Sequence, residues 1–342
     1  MLSCFVGYYS NSQIYNIHVK PVGSKTWKYA NIKGDIIIDY NYPVSYQFSH
    51  DGVGVVYYPK KNLYILINTK GEEINTQIHD FDLKDVMGYG AKGFSGGLVN
   101  VRLDKKWGCL DTTGRLVIPI RYDDLSEFND GYGIGRIDIN FYIINNTGNE
   151  ILVEGKGIID IRHFTENLAP FTSIDNKKGF IDINGNIVIP SQFLEVGYFN
   201  NGFVWAKNSE GLIGYINNRG EWVIKPQFSA AKDFDKESDL ARVKNGERWV
   251  YVNAKGEILS FNISETTYDF YEGLAKGKKT YFFGFYNNKG EWVIQPQYEG
   301  VRDFKNGFAA AKENGLWGII DKEGEWVIKP TFAGIKDVIK IK

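Results

Sequence analysis

Short runs of β-branched and aromatic residues recur along the chain, each cut by the same polar punctuation: Asn or Asp, two variable residues, then Gly. Nine segments carry it: Asn31–Gly34, Asn68–Gly71, Asp111–Gly114, Asn145–Gly148, Asp182–Gly185, Asn217–Gly220, Asn253–Gly256, Asn287–Gly290 and Asp321–Gly324. The intervals between these glycines are 37, 43, 34, 37, 35, 36, 34 and 34 residues. Asp or Asn opening a type I turn bonds the backbone ahead of it, and Gly at the fourth position takes the left-handed conformation of a G1 bulge. Each segment is therefore predicted to be a hairpin turn. The flanks agree, with Ile213-Gly214-Tyr215-Ile216 before one turn and Glu221-Trp222-Val223-Ile224 after it. These read as two antiparallel strands.

Pro119, Pro190, Pro226, Pro296 and Pro330 follow, where a missing N–H is expected to end the strand. Tyr122, Phe193, Phe228, Tyr298 and Phe332 then anchor the exit, eight residues after the turn glycine. A second marker lies between the turns: Phe48, Phe94, Phe128, Phe164, Phe199, Phe234, Phe270 and Phe304, each followed by a Gly, Asn or Asp and an apolar-small pair. It introduces a third strand. The unit is thus about three strands in roughly 36 residues, consistent with strands of about 5 to 6 residues and short loops. With 38 glycines, recurrent Pro and dense β-branching, helical repeats of similar period are excluded.

Lys106-Trp107-Gly108-Cys109-Leu110-Asp111 with Leu116-Val117-Ile118-Pro119 resembles the WG repeat of bacterial proteins, named for its Trp-Gly pair. So does Leu316-Trp317-Gly318-Ile319-Ile320-Asp321 with Glu325-Trp326-Val327-Ile328-Lys329-Pro330. The resemblance is strong over 99–342 and degenerate over 1–98, where Trp27 and Tyr64 hold the tryptophan column without the Gly. The two parts are read as one continuous repeat domain. Lys178-Gly179, Ile213-Gly214 and Phe283-Gly284 replace the Trp, and Trp249-Val250 loses the Gly. Such free exchange assigns the Trp to core filling. The resemblance implies a bacterial, non-enzymatic interaction module.

The expected fold class is an all-β tandem array of about nine three-stranded units. Such units can stack as an open superhelix or close radially as a β-propeller. Propellers typically have four-stranded blades of about 40 or more residues, 4 to 8 in number, which favours the open stack for nine shorter units.

The chain's 342 residues carry 40 Lys+Arg against 41 Asp+Glu, a formal charge of −1. That balance excludes the basic field of a nucleic-acid binder and offers no polybasic membrane segment. Cys4 and Cys109 cannot make a disulfide framework. No run of about 18 apolar residues predicts a transmembrane helix, and no complete signal peptide is read, so a cytoplasmic setting is the default. Leu2-Ser3-Cys4 resembles the end of a lipoprotein signal; a signal lost before Cys4 would move the protein to the cell envelope.

His18, His50, His79 and His163 lie in different units at no metal-ligand spacing, and no catalytic or cofactor motif is found. Gly131-Tyr132-Gly133-Ile134-Gly135-Arg136 lacks the strand-to-helix context of a dinucleotide site and falls on a repeat strand. The turn carboxylates Asp111, Asp182 and Asp321 share their position with Asn and cap turns. Cys109, in a column of Tyr, Phe and Ile, is expected to be a buried thiol. No enzyme, metal or cofactor is predicted.

Two features remain. Arg102, Arg136, Lys207, Lys244, Lys278 and Lys312 recur at one place after the marker Phe and would stack into a basic stripe for an anionic partner. The competing reading pairs them with Glu221, Glu257, Glu291 and Glu325. Trp205 departs from a column of small residues and is a candidate exposed contact, whereas Trp222, Trp292 and Trp326 are expected between units. The function expected is a repeat scaffold binding a protein or peptide. A carbohydrate-binding envelope protein is the alternative.

Overall fold

The computed structural model describes residues 13–60, 63–83, 94–155 and 157–342; Cys4 lies outside them. Every regular element among these residues is a strand. Six consecutive units are four-stranded antiparallel meanders, for example Phe270–Tyr271, Leu274–Lys279, Phe282–Tyr286 and Trp292–Tyr298. The expected three strands thus gain a fourth, a first strand of as few as two residues such as Asp124–Leu125 or Gly300–Val301. So short a pairing leaves no alternation for a sequence pattern to show.

The two ends of the chain share one sheet. The last strand, Trp326–Ile341, pairs through residues 326–332 with Leu316–Ile320 and through 332–341 with Ile14–Pro21, which continues into Lys28–Ala30 and Ile36–Ile38. Blade one is therefore built from both termini. Blade two is Gly54–Tyr58 and Leu63–Ile67 with bridges at Ser45 and Glu73, and blades three to nine follow in chain order. Contacts between blades repeat around the circle. A Cβ on Gly324 would meet Ile294 Cγ2 of the preceding blade at 3.2 Å, and one on Gly34 would meet Ile328 Cγ2 of blade nine at 3.2 Å. The described residues thus close into a ring of nine blades, a β-propeller arrangement, in place of the open stack. The preference for the stack failed because the fourth strand is so short and the closing blade is split between the termini.

All nine turn glycines have positive φ. At Asn217 the side-chain oxygen accepts the N–H of Arg219 at 2.9 Å and of Glu221 at 3.1 Å, and its amide donates to Glu221 Oε2 at 2.7 Å. Asp111 and Asp182 accept the equivalent backbone bonds, and although burial raises these carboxyls the bonds hold them below the ordinary carboxylate range. Turn-capping explains both residue types.

The glycine of the Trp-Gly pair has a different cause. A Cβ on Gly108, Gly179, Gly214, Gly284 or Gly318 would run into a backbone carbonyl of the fourth strand. In those five blades the third and fourth strands slip register at that glycine, and the strand proline sits inside the slip. Proline therefore does not end the strand; Pro119 lies within Leu116–Tyr122, tolerated on an edge strand at a bulge. Blades four and seven have Tyr142 and Val250 instead of Gly, no proline, and no such slip. Gly, Pro and bulge come and go together.

The marker rings Phe128, Phe164, Phe199, Phe234, Phe270 and Phe304 and the exit rings Tyr122, Phe193, Phe228, Tyr298 and Phe332 are buried. Trp222 meets Phe193 and Trp326 meets Tyr298 of the preceding blade edge to face at 5.6 and 5.4 Å. Blades are also tied by polar bonds. Tyr215 and Tyr251 hydroxyls donate to the carbonyls of Lys232, on the next blade's first strand, and of Tyr268, just before it, at 2.7 and 2.6 Å. Cys109 is buried and its thiol donates to Asn100 Oδ1 at 3.2 Å; burial pushes it far above the ordinary thiol range.

His18 sits at the closing seam, buried, with Nε2 2.9 Å from Ser45 Oγ and its ring stacked on Tyr29 at 5.0 Å. Burial, and then the charge of Lys336, push its pKa down to about 3. The unfolded chain takes up this proton below about pH 6.5 while the folded ring resists it, so stability held above that pH is lost as pH falls toward 3. The loss should approach about 1.4 kcal/mol per pH unit from this group alone. Urea midpoints measured from pH 7 to 4 should fall less steeply for His18→Gln; identical slopes would remove His18 from the acid response.

Candidate functional site

The second strand of each blade runs to a tight hairpin, and its last turnward positions lie beside the tryptophan column of the third strand. Arg102 pairs with Trp107, Arg136 with Phe141, Lys207 with Ile213, Lys244 with Trp249, Lys278 with Phe283 and Lys312 with Trp317. The six predicted cations therefore hold one structural position in six blades. Arg102 lies over the Trp107 ring at 5.5 Å and Lys278 over Phe283 at 5.9 Å. The two arginines are exposed and the four lysines half-buried.

The competing reading does not hold. Glu221, Glu257 and Glu291 are bonded to the amides of their own turn residues Asn217, Asn253 and Asn287, at the opposite end of the blade. Among the described residues none of the six cations has a carboxylate within 4.0 Å. The ring also reveals a seventh member, Lys20, which faces Gly334 as Lys312 faces Gly300. The sequence hid it because its marker position, Val338, is at the other end of the chain. In blade five the roles are exchanged: Thr172 holds the cation's place and Lys178, in the tryptophan column, donates to Thr172 Oγ1 at 3.0 Å.

The hairpin tips on this face carry apolar side chains that neither burial nor turn chemistry explains. Val22, Ile139, Ile174 and Tyr281 are 65%, 87%, 77% and 79% exposed. Three acids on the same face are engaged with hairpin backbone: Asp123 accepts from Asp138 N at 2.8 Å, Glu299 from Gly315 N at 3.0 Å, and Glu265 from Thr280 N. On the opposite face, acids tie each loop to the next blade. Glu166 accepts the N–H of Gly202 at 3.0 Å, Asp235 that of Gly273 at 3.1 Å and Glu272 that of Gly307 at 2.9 Å. The hairpin-tip face thus combines a column of cations with exposed apolar tips, while the opposite face carries acids and cations together.

Trp205 is not freely exposed. It is half-buried, with Gly197 leaving room for its indole, and it shares a cleft with Asp233 of the next blade. It lines a cleft of about 210 Å³ with Arg162, Tyr198, Lys232 and Asp233. Sequence reading missed these first-strand partners, because two-residue strands give no periodic signal. The four histidines lie in separate places: His18 at the seam, His50 with Nδ1 2.8 Å from the Lys340 carbonyl oxygen, His163 stacked on Tyr198 at 3.9 Å, and His79 beside the second blade.

The sequence matches the WG containing repeat at residues 107–137, 179–210, 213–249, 283–317 and 317–338, so the chain carries WG repeats from its third blade onward. No curated protein matches it. Among solved structures, one described as the crystal structure of the eukaryotic initiation factor is similar over 97% of this chain and 98% of that one, with 10% identity and a TM-score of 0.64. The computationally designed Ika8 protein is similar over 82% and 93%, with 12% identity and a TM-score of 0.43. BamB from Moraxella catarrhalis follows over 81% and 79%, with 12% identity and a TM-score of 0.33. The first of these supports the fold, end to end, and nothing about activity. No helix among the described residues is long and apolar enough to cross a membrane.

Proposed function

We propose that the protein is a non-enzymatic repeat scaffold whose hairpin-tip face binds a protein or peptide with an acidic surface. The observation that carries this reading is the rim of cations at one position of six blades, with no carboxylate within 4.0 Å among the described residues and exposed Val22, Ile139, Ile174 and Tyr281 interspersed. Burying each such apolar side chain in an interface contributes about 1.5 to 3 kcal/mol. The cations add orientation and faster association more than affinity, and their contribution falls as salt screens them. A bacterial, cytoplasmic setting goes with this reading.

Capture from a lysate of the source organism tests it. Wild type should retain a partner that is lost from a folded variant with Lys207, Lys244, Lys278 and Lys312 changed to Glu, and from Ile139→Ser/Tyr281→Ser. Retention of the same partner by both variants would make the rim a solvated face. The second reading, a carbohydrate-binding envelope protein, has one observation in its favour, the cleft at Trp205.

A further inference from the structure

Four aspartates, Asp233, Asp269, Asp303 and Asp337, lie one residue before Phe234, Phe270, Phe304 and Val338, on or just beside the first strands of successive blades. Three are closed by a cation. Arg242 Nε is 2.6 Å from Asp269, Lys276 Nζ 3.0 Å from Asp303, and Asp337 holds Arg302 at 2.5 Å and Lys305 at 2.9 Å. Asp233 differs. The position that supplies Arg242 and Lys276, identified by its pairing with Tyr251 and Phe285, is Trp205 in blade six, paired with Tyr215. An indole thus stands where a cation closes the other sites, and among the described residues Asp233 has no cation within 4.0 Å.

Burial pushes the Asp233 carboxyl above the ordinary carboxylate range, against the pull of Lys232; Asp269 adds to the rise and Trp205 opposes it. Its outer edge remains exposed, so a ligand can reach it. Across the cleft, Arg162 lies over the Tyr198 ring at 4.6 Å and donates to the Val196 carbonyl at 2.8 Å. His163 stacked on Tyr198 and Arg162 over it take up that ring, so the cleft joins the Trp205 indole, one carboxylate and two cationic donors in a space suited to one small ring, well below drug-sized pockets of about 300 to 1,000 Å³. Arg162 and Lys232 oppose a cationic guest, and a carboxylate opposes an anion. A neutral polyol ring satisfies all three: hydroxyls donate to Asp233 and accept from the cations, while the ring's apolar face meets the Trp205 indole.

We propose that the cleft between blades five, six and seven, lined by Trp205, Tyr198, Arg162, Lys232 and Asp233, binds a single sugar ring. The site uses none of the rim cations, so it stands or falls apart from the scaffold reading.

The test titrates the full chain with methyl glycosides of glucose, galactose, mannose and N-acetylglucosamine, following the tryptophan indole N–H resonances, with Trp205→Phe assigning the Trp205 signal. At least one glycoside should bind saturably and shift the Trp205 resonance in wild type. Asp233→Asn should weaken that binding at least tenfold, while Lys312→Glu leaves it unchanged. Absence of saturable binding by every glycoside, binding that leaves the Trp205 resonance in place, or binding unaltered by Asp233→Asn would overturn the proposal. So would saturable binding of n-butylamine in place of the glycosides, since that identifies a cation site. The wild-type resonance decides the matter even where a variant fails to fold.

Discussion

Removing residues 333–342 should abolish the single cooperative unfolding transition of the whole ring. That segment supplies the strand paired with Ile14–Pro21, buries Ile335 and Val338, and places Asp337 between Arg302 and Lys305. Burial of the two aliphatic chains contributes about 1.5 to 3 kcal/mol each. Uncovering Ile17 and Val19 on the facing strand and leaving Arg302 unpartnered brings the loss to roughly 5 kcal/mol or more, the scale of a domain's whole net stability. Because both termini belong to blade one, the damage is not confined to the end of the chain. An open array would respond otherwise, since its terminal unit contacts one neighbour only. Urea denaturation followed by tryptophan fluorescence checks this: a multiphasic transition at much lower urea is expected, and a small parallel shift would argue against closure.

The second large effect is expected at Gly284. A Cβ there collides with the Ile294 carbonyl and would lie 2.7 Å from Pro296 N, atoms of the main chain that cannot swing aside. Gly284→Ala should therefore cost about 3 kcal/mol or more, at the upper end of overpacking effects. At the same position in blade seven the chain has Val250, and the fourth strand Ile258–Leu259 pairs without the slip. Val250→Ala at that site should be mild, losing only part of a buried side chain, about 1 kcal/mol. Thermal midpoints of the two variants should thus differ widely. Equal midpoints would detach the glycine from the bulge.

Much of the blade was legible from spacing alone. The Asn/Asp-x-x-Gly turns formed where the rhythm put them because their side chains close the same bonds in every copy, as Asn217 and Asp111 show. The marker rings reached the core, and the tryptophans Trp222 and Trp326 settled between blades. The short first strand was not legible, and with it went the fourth member of the sheet and the Asp233 cleft. Proline was misplaced for a related reason: Pro296 looks like a terminator until Gly284 is known to admit a bulge beneath it. Closure was hidden by permutation. Lys20 and Lys312 are equivalent, yet nothing local to Lys20 marks it, since its first strand is made by residues 334–341. The basic column itself was read correctly by position, but its setting beside Trp107, Trp249 and Trp317 depends on cross-strand register.

Closure of the nine blades is what brings Lys20 of blade one into the same rim as Lys312 of blade nine. Nitroxide labels on Val22→Cys and Thr331→Cys, in a Cys4→Ser background, measure it directly, because both positions are exposed and adjoin the Pro21 and Phe332 pairing. Closure predicts strong dipolar broadening of the spectrum. Nine sheets stacked in the open at about 10 Å each would separate the labels by roughly 80 Å, and spectra without broadening would contradict the ring.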